Sequence, residues 1–121
     1  MNGFGRLSKI ISLKNNEFKI VYNCRISKAD KYIIMYIRKN NLNINRLGIS
    51  INKKVGNSII RHRFCRLVRE SFRLNLDELK TGFDIIVIAR PKVVGVKCQV
   101  IEKAFLHLCK NHHILLEKQC D

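Results

Sequence analysis

Acidic residues are scarce in this chain. Its 121 residues carry nine Asp and Glu against 24 Lys and Arg, a formal charge of +15. The nine, Glu17, Asp30, Glu70, Asp77, Glu78, Asp84, Glu102, Glu117 and Asp121, stand singly apart from Asp77-Glu78. A two-metal nuclease needs several carboxylates converging on ions ~3.5–4 Å apart, and this scatter suggests no such convergence. A P-loop, a GxSxG elbow and a spaced Cys/His pair with an orienting acid are missing too. His62, among arginines, is a lone candidate acid or base. No apolar run approaches the ~20 residues of a spanning helix, and the opening MNGFGRLSKI has no signal-peptide apolar region. Five cysteines, Cys24, Cys65, Cys98, Cys109 and Cys120, form no CxxC pair, which fits a cytoplasmic protein with free thiols. Cys109, His112, His113 and Cys120 make only half of a zinc pattern, so Cys109 reads as helix filler and the histidines as part of a basic face. The polypeptide reads as a binder whose chemistry belongs to a partner.

Cations dominate what remains. A field of this sign attracts polyanions, with nucleic acid ahead of an acidic protein or an anionic membrane. Charge concentrates in Lys53–Arg73, KKVGNSIIRHRFCRLVRESFR, where seven Lys and Arg meet one acid, Glu70. At 100° per residue Ile60, Phe64, Leu67, Val68, Ser71 and Leu74 gather on one side, as in a core-facing helix. His62, Arg66, Arg69 and Arg73 form a ridge on the other, and Arg61 and Arg63 flank the stripe. Gly56-Asn57-Ser58 supplies a turn and two N-cap candidates, placing Lys53 and Lys54 beside a helix start whose free N–H groups favour an anion. The guanidinium fork grips phosphate through paired hydrogen bonds and stacks on bases. Solvated helix faces normally mix signs, and this one has only Glu70 to offset its cations.

The rest is expected to form one domain, residues 1–121 with a core of about 6–116, large enough to bury roughly two thirds of its surface. A basic N-terminal arm leads to a helix over Asn15–Asn23, capped by asparagines, with Phe18, Val21 and Tyr22 on one face. Tyr32–Arg38 and Ile44–Ile51 read as strands, and a third depends on how Tyr32–Ile51 divides. In the second, Leu47, Ile49 and Ile51 face the core while Arg46, Gly48, Ser50 and Asn52 face away. Phe83–Ala89 is a buried strand ended by Arg90-Pro91, and Lys97–Leu116 an amphipathic helix. Phe18, Tyr22 and Tyr36 offer either stacking surfaces for unpaired bases or core packing; Ser50 either donates to a phosphate or meets water.

The stretch Lys53–Arg73 closely resembles the signature of the bacterial ribonuclease P protein subunit: Lys-x-Gly-Asn, an apolar spacer, Arg-Asn-Arg, then Lys-Arg-x-x-Arg. The resemblance runs from about Arg6 to Leu116. It implies an α+β fold, a single-domain α/β sandwich of order αβββαβα with a left-handed β-α-β crossover, like the second domain of a small-subunit ribosomal protein. It also implies a role beside the catalytic RNA of ribonuclease P. With Mg²⁺ held mainly by the RNA, that particle hydrolyses the bond joining the 5′ leader to mature tRNA in precursor tRNA, with one protein expected per RNA. The catalytic-RNA surface carries over onto Asn57, Arg61, Arg63, Arg66 and Arg69, to which the ridge adds His62 and Arg73 and the helix start adds Lys53. The leader cleft carries over onto Phe18, Tyr22, Tyr36, Ser50, Lys54 and Arg61. Two positions depart from the signature. His62 replaces the usual asparagine, and Cys65 stands where lysine is common, which removes a charge and makes the salt dependence of RNA binding slightly shallower.

Rival classes are a ribosomal protein, although long basic tails are absent, and a DNA-binding regulator, which would want Asn or Gln at base-reading positions and a dimer interface.

Overall fold

The computed structural model describes residues 10–116; the basic N-terminal arm and Cys120 lie outside them. Its elements are β1 (Ile11–Ser12), α1 (Asn15–Cys24), β2 (Ser27–Ala29), β3 (Ile33–Lys39), β4 (Arg46–Ser50), α2 (Ser58–Leu74), β5 (Phe83–Ala89) and α3 (Cys98–Asn111). The strands form one sheet in the order β1-β4-β5-β3-β2. β4 and β5 are parallel neighbours joined through α2, and β3 runs antiparallel to β5.

Strand alternation divides the sheet into two faces. Ile33, Met35 and Ile37 of β3, Leu47 of β4 and Ile85, Val87 and Ala89 of β5 point to one face. There they pack with Phe64, Leu67, Val68 and Phe72 of α2 and Ile101, Phe105 and Leu108 of α3 as the main core. The α2 stripe is close to the expected one, with two differences. Phe72 is buried, its ring edge-on to Phe105 at 6.3 Å, whereas Leu74, the last residue of the helix, is 59% exposed.

The opposite face is set by register. Arg46, Asp84 and Arg38 are cross-strand partners in one row; Gly48, Ile86 and Tyr36 form the next; Ser50, Ile88 and Ile34 the third. Helix α1 lies over this face, burying Val21 with Leu13 and Ile86 while Phe18, Tyr22, Tyr36 and Ile88 pack around them.

Three sequence expectations are corrected. The additional strand lies upstream of Tyr32–Ile51, at Ser27–Ala29, where β3 offers a pairing edge to a segment with no apolar alternation, and the two-residue β1 pairs in parallel with β4. Asparagine does not cap α1: Lys14 stands at the cap and its N–H donates to the Glu17 carboxylate at 2.7 Å. The last helix stops at Asn111, since His113 turns the chain with φ 61°. Ile114 then enters the core, and its carbonyl accepts from the Lys80 N–H at 2.7 Å.

Candidate nucleic-acid interface

Helix α2 begins where Asn57 accepts the Ile60 N–H at 3.0 Å, so this side chain's oxygen is committed to capping. Lys53 and Lys54 stand exposed in the preceding turn. Along the helix, His62, Arg66, Arg69 and Arg73 line one open groove of about 730 Å³ together with Arg63, Ile59 and Ile10. The cations of the ridge are not equivalent. Arg73 is paired with Glu70. Arg63 donates to the Val96 carbonyl at 2.7 Å and thereby ties α2 to the loop before α3. Arg66 and Arg69 are exposed and have no ion-pair partner among the described residues.

Arg61 points elsewhere. It lines a smaller cleft with Ile51, Ser58, His62 and Cys65, next to the end of β4, and its Nε is buried with no hydrogen-bond partner among the described residues. A buried donor without a partner costs ~1–3 kcal/mol, which an incoming acceptor would recover.

The aromatic residues converge on the α1 face. Phe18 and Tyr22 have ring centroids 6.2 Å apart, and Tyr22 meets Tyr36 edge-on at 5.0 Å. Burial pushes the Tyr22 phenol above its ordinary value; the neighbouring Ser50 hydroxyl pulls it down and Tyr36 adds to the rise. Phe18 is partly a packing residue, because its ring fills the space above Gly48. A Cβ on Gly48 would lie 2.5 Å from Phe18 Cζ and 3.1 Å from Leu13 Cδ1. Gly48→Ala is therefore expected to push Phe18 out of place and to destabilise the fold by about 1–3 kcal/mol, seen as a lower urea midpoint. An unshifted midpoint would show that the ring swings aside freely.

Sequence reasoning missed the device that holds this cleft. Asp84 is fully buried and accepts from Arg46 Nε and Nη2, both at 2.8 Å, from Asn40 Nδ2 at 2.8 Å and from Arg38 Nη1 at 3.1 Å. Arg46 also reaches Glu17 and so ties α1 to the sheet. Burial pushes the Asp84 carboxyl up, but the hydrogen bonds of Arg46 and Asn40 with the Arg46 charge outweigh it and hold the group below its ordinary value. The available signal was one acid inside the apolar run FDIIVIA.

The tail reads differently from expectation as well. His112 does not extend a basic face: it is buried, with Nε2 2.9 Å from the Met35 carbonyl oxygen. Burial pushes the Cys109 thiol up to about 12, and among the described residues no three His, Cys, Asp or Glu side chains group to hold a metal. No helix among them is long and apolar enough to cross a membrane.

A mixed sheet backed by two helices, one of them with a cationic outer face, and covered on its other face by a third that forms an aromatic cleft, defines a small α+β RNA-binding protein. The family described as Ribonuclease P matches residues 8–113. The chain is 49% identical to the ribonuclease P protein component of Lachnoclostridium phytofermentans over 91% of its length and 96% of the relative's. It is 51% identical to that of a Thermoanaerobacter species over 83% and 87%. Its fold is similar to the RNase P protein of Staphylococcus aureus, with a TM-score of 0.81 at 30% identity over 89% of this chain and 100% of that one. The RNase P protein of Thermotoga maritima gives 0.77 at 30% identity over 88% and 98%. The chain belongs to the ribonuclease P protein family: it is the protein component of that ribonucleoprotein, a tRNA-processing particle with an RNA partner.

Proposed function

We propose that the chain binds the catalytic RNA of ribonuclease P through the α2 ridge and the 5′ leader of precursor tRNA through the α1 cleft, in the cytoplasm, one protein per RNA. It assists Mg²⁺-dependent removal of the leader, with catalysis residing in the RNA. The observation that carries this reading is the separation of two chemistries on one small body: guanidinium groups on α2, of which Arg66 and Arg69 have no ion-pair partner among the described residues, and aromatic rings beside Ser50 on the α1 face. Phosphates suit the first and unpaired bases the second. The carboxylate deepest in the structure, Asp84, is spent on Arg46, Arg38 and Asn40. On this reading Mg²⁺ is held mainly by the RNA, and the protein's charge does part of the work of added cations by screening repulsion between two RNAs.

Reconstitution with the same organism's RNA transcript tests this. The mixture is expected to cleave precursor tRNA at the 5′ boundary at lower Mg²⁺ than bare RNA, and protein alone not to cleave. Tyr36→Ala should weaken binding of precursor tRNA by ~1–3 kcal/mol, the scale of one stacked base, and leave mature tRNA binding unchanged. A mixture no better than bare RNA would refute the assisting role; equal losses for both tRNA forms would remove the leader from the cleft.

A further inference from the structure

Ile59 is 76% exposed, more than any other large apolar side chain among the described residues. It occupies the first turn of α2, and the helical repeat puts it on the cationic ridge: about 20° from Arg66, 40° from Arg73 and 60° from His62 in projection. Ile59, Ile10, His62, Arg66 and Arg69 share the walls of the open groove.

A surface that met only phosphates would have no use for this aliphatic carbon, because packing it on charged backbone strips water from the phosphate without replacing its hydrogen bonds. Base faces are apolar, but only unstacked bases show them. In a paired A-form helix the faces are covered by stacking, and the major groove is too deep and narrow for side chains to reach even the base edges. Where stacking is opened, as at the kinked steps of bent duplexes, isoleucine is among the apolar side chains that pack against the exposed base face. One turn on, His62 adds a ring. Helix side chains lean toward the N-terminus, so Arg66 and Arg69 reach back along the same face toward flanking phosphates.

We propose that the Ile59–His62 corner of the ridge takes the face of one unstacked base of the RNA partner, so that this surface selects a looped or joining single strand over paired helix. The inference rests on the ridge being the RNA interface.

The test uses the full chain and a transcript of its own organism's ribonuclease P RNA in salt-titrated filter binding. Ile59→Ser is expected to bind about tenfold more weakly, the scale of one buried aliphatic side chain. Its log–log salt slope should be unchanged, since every cation is retained. Ile59→Trp is expected to keep its affinity, and because the chain has no other tryptophan, quenching of its emission on RNA addition reports a base against this position alone. Wild-type affinity in Ile59→Ser, or an unquenched indole in a complex that still forms, would overturn the inference. So would a fully paired RNA of equal length that binds as tightly and loses as much with Ile59→Ser. Failure of the ridge itself looks different: Arg66→Ala with Arg69→Ala would then also bind with unchanged affinity and slope.

Discussion

Replacing Arg66 and Arg69 together with alanine is expected to weaken binding to the ribonuclease P RNA on the order of a hundredfold. Each hydrogen bond to a charged group contributes ~1.5–3 kcal/mol, and 1.4 kcal/mol is tenfold. The log–log dependence on salt should become shallower by about two, one for each phosphate that is no longer neutralised. These two side chains are singled out because they are exposed on the ridge without an ion-pair partner among the described residues. Arg73→Ala should lose less, since Glu70 already offsets that charge. Exposed positions tolerate substitution within ~0.5 kcal/mol of stability, so the loss is not an unfolding effect. Unchanged affinity and slope would take the ridge out of the interface.

The second large effect is on the fold. Asp84→Asn removes the negative charge against which Arg46 and Arg38 are packed, and breaking a buried pair from one side costs about 3–5 kcal/mol, a large part of a small protein's total stability. Urea unfolding should show a lower midpoint with an unchanged slope; a loss under ~1 kcal/mol would mean that Glu17 alone suffices to hold Arg46. The wild type adds a pH signature. Because the folded state holds Asp84 below its ordinary value of 3.8, the stability it contributes is complete above about pH 4 and drains as pH falls through the folded value. Burial, opposed by the Met35 carbonyl, lowers His112 from 6.5. The unfolded chain therefore takes up that proton first, and stability begins to fall below about pH 6.5. Asp84→Asn should keep the His112 phase and lose the one at lower pH.

Both predictions involve arginines, yet only one pair could have been chosen before the fold was known. The ridge was legible because a helix imposes its own periodicity: which side of α2 each residue takes follows from spacing within one segment. Arg46 and Arg38 belong to the same +15 total, and nothing local distinguishes them from RNA-binding cations. What commits them is that β3 and β4 flank β5 in a register that places both opposite Asp84. Gly48 follows the same logic. Its place on the outward side of β4 was readable from alternation, but the need for no side chain there comes from Phe18 of α1. The end of α3 was misread for a related reason: apolar residues continue to Leu116, but Ile114 is drawn into the core and its backbone is bonded to Lys80.

By itself, then, the sequence determined what depends on neighbours along the chain: the amphipathic α2 with its predominantly cationic face, the alternation of β4, the apolar run of β5, and the signature that aligns the chain with ribonuclease P proteins. The tertiary structure decided which charges are available and which are spent, because ion pairing between strands is a property of register. It also decided how the aromatic residues of α1 meet Tyr36 and Ser50, since that depends on helix and sheet packing at Gly48, which leaves room for Phe18.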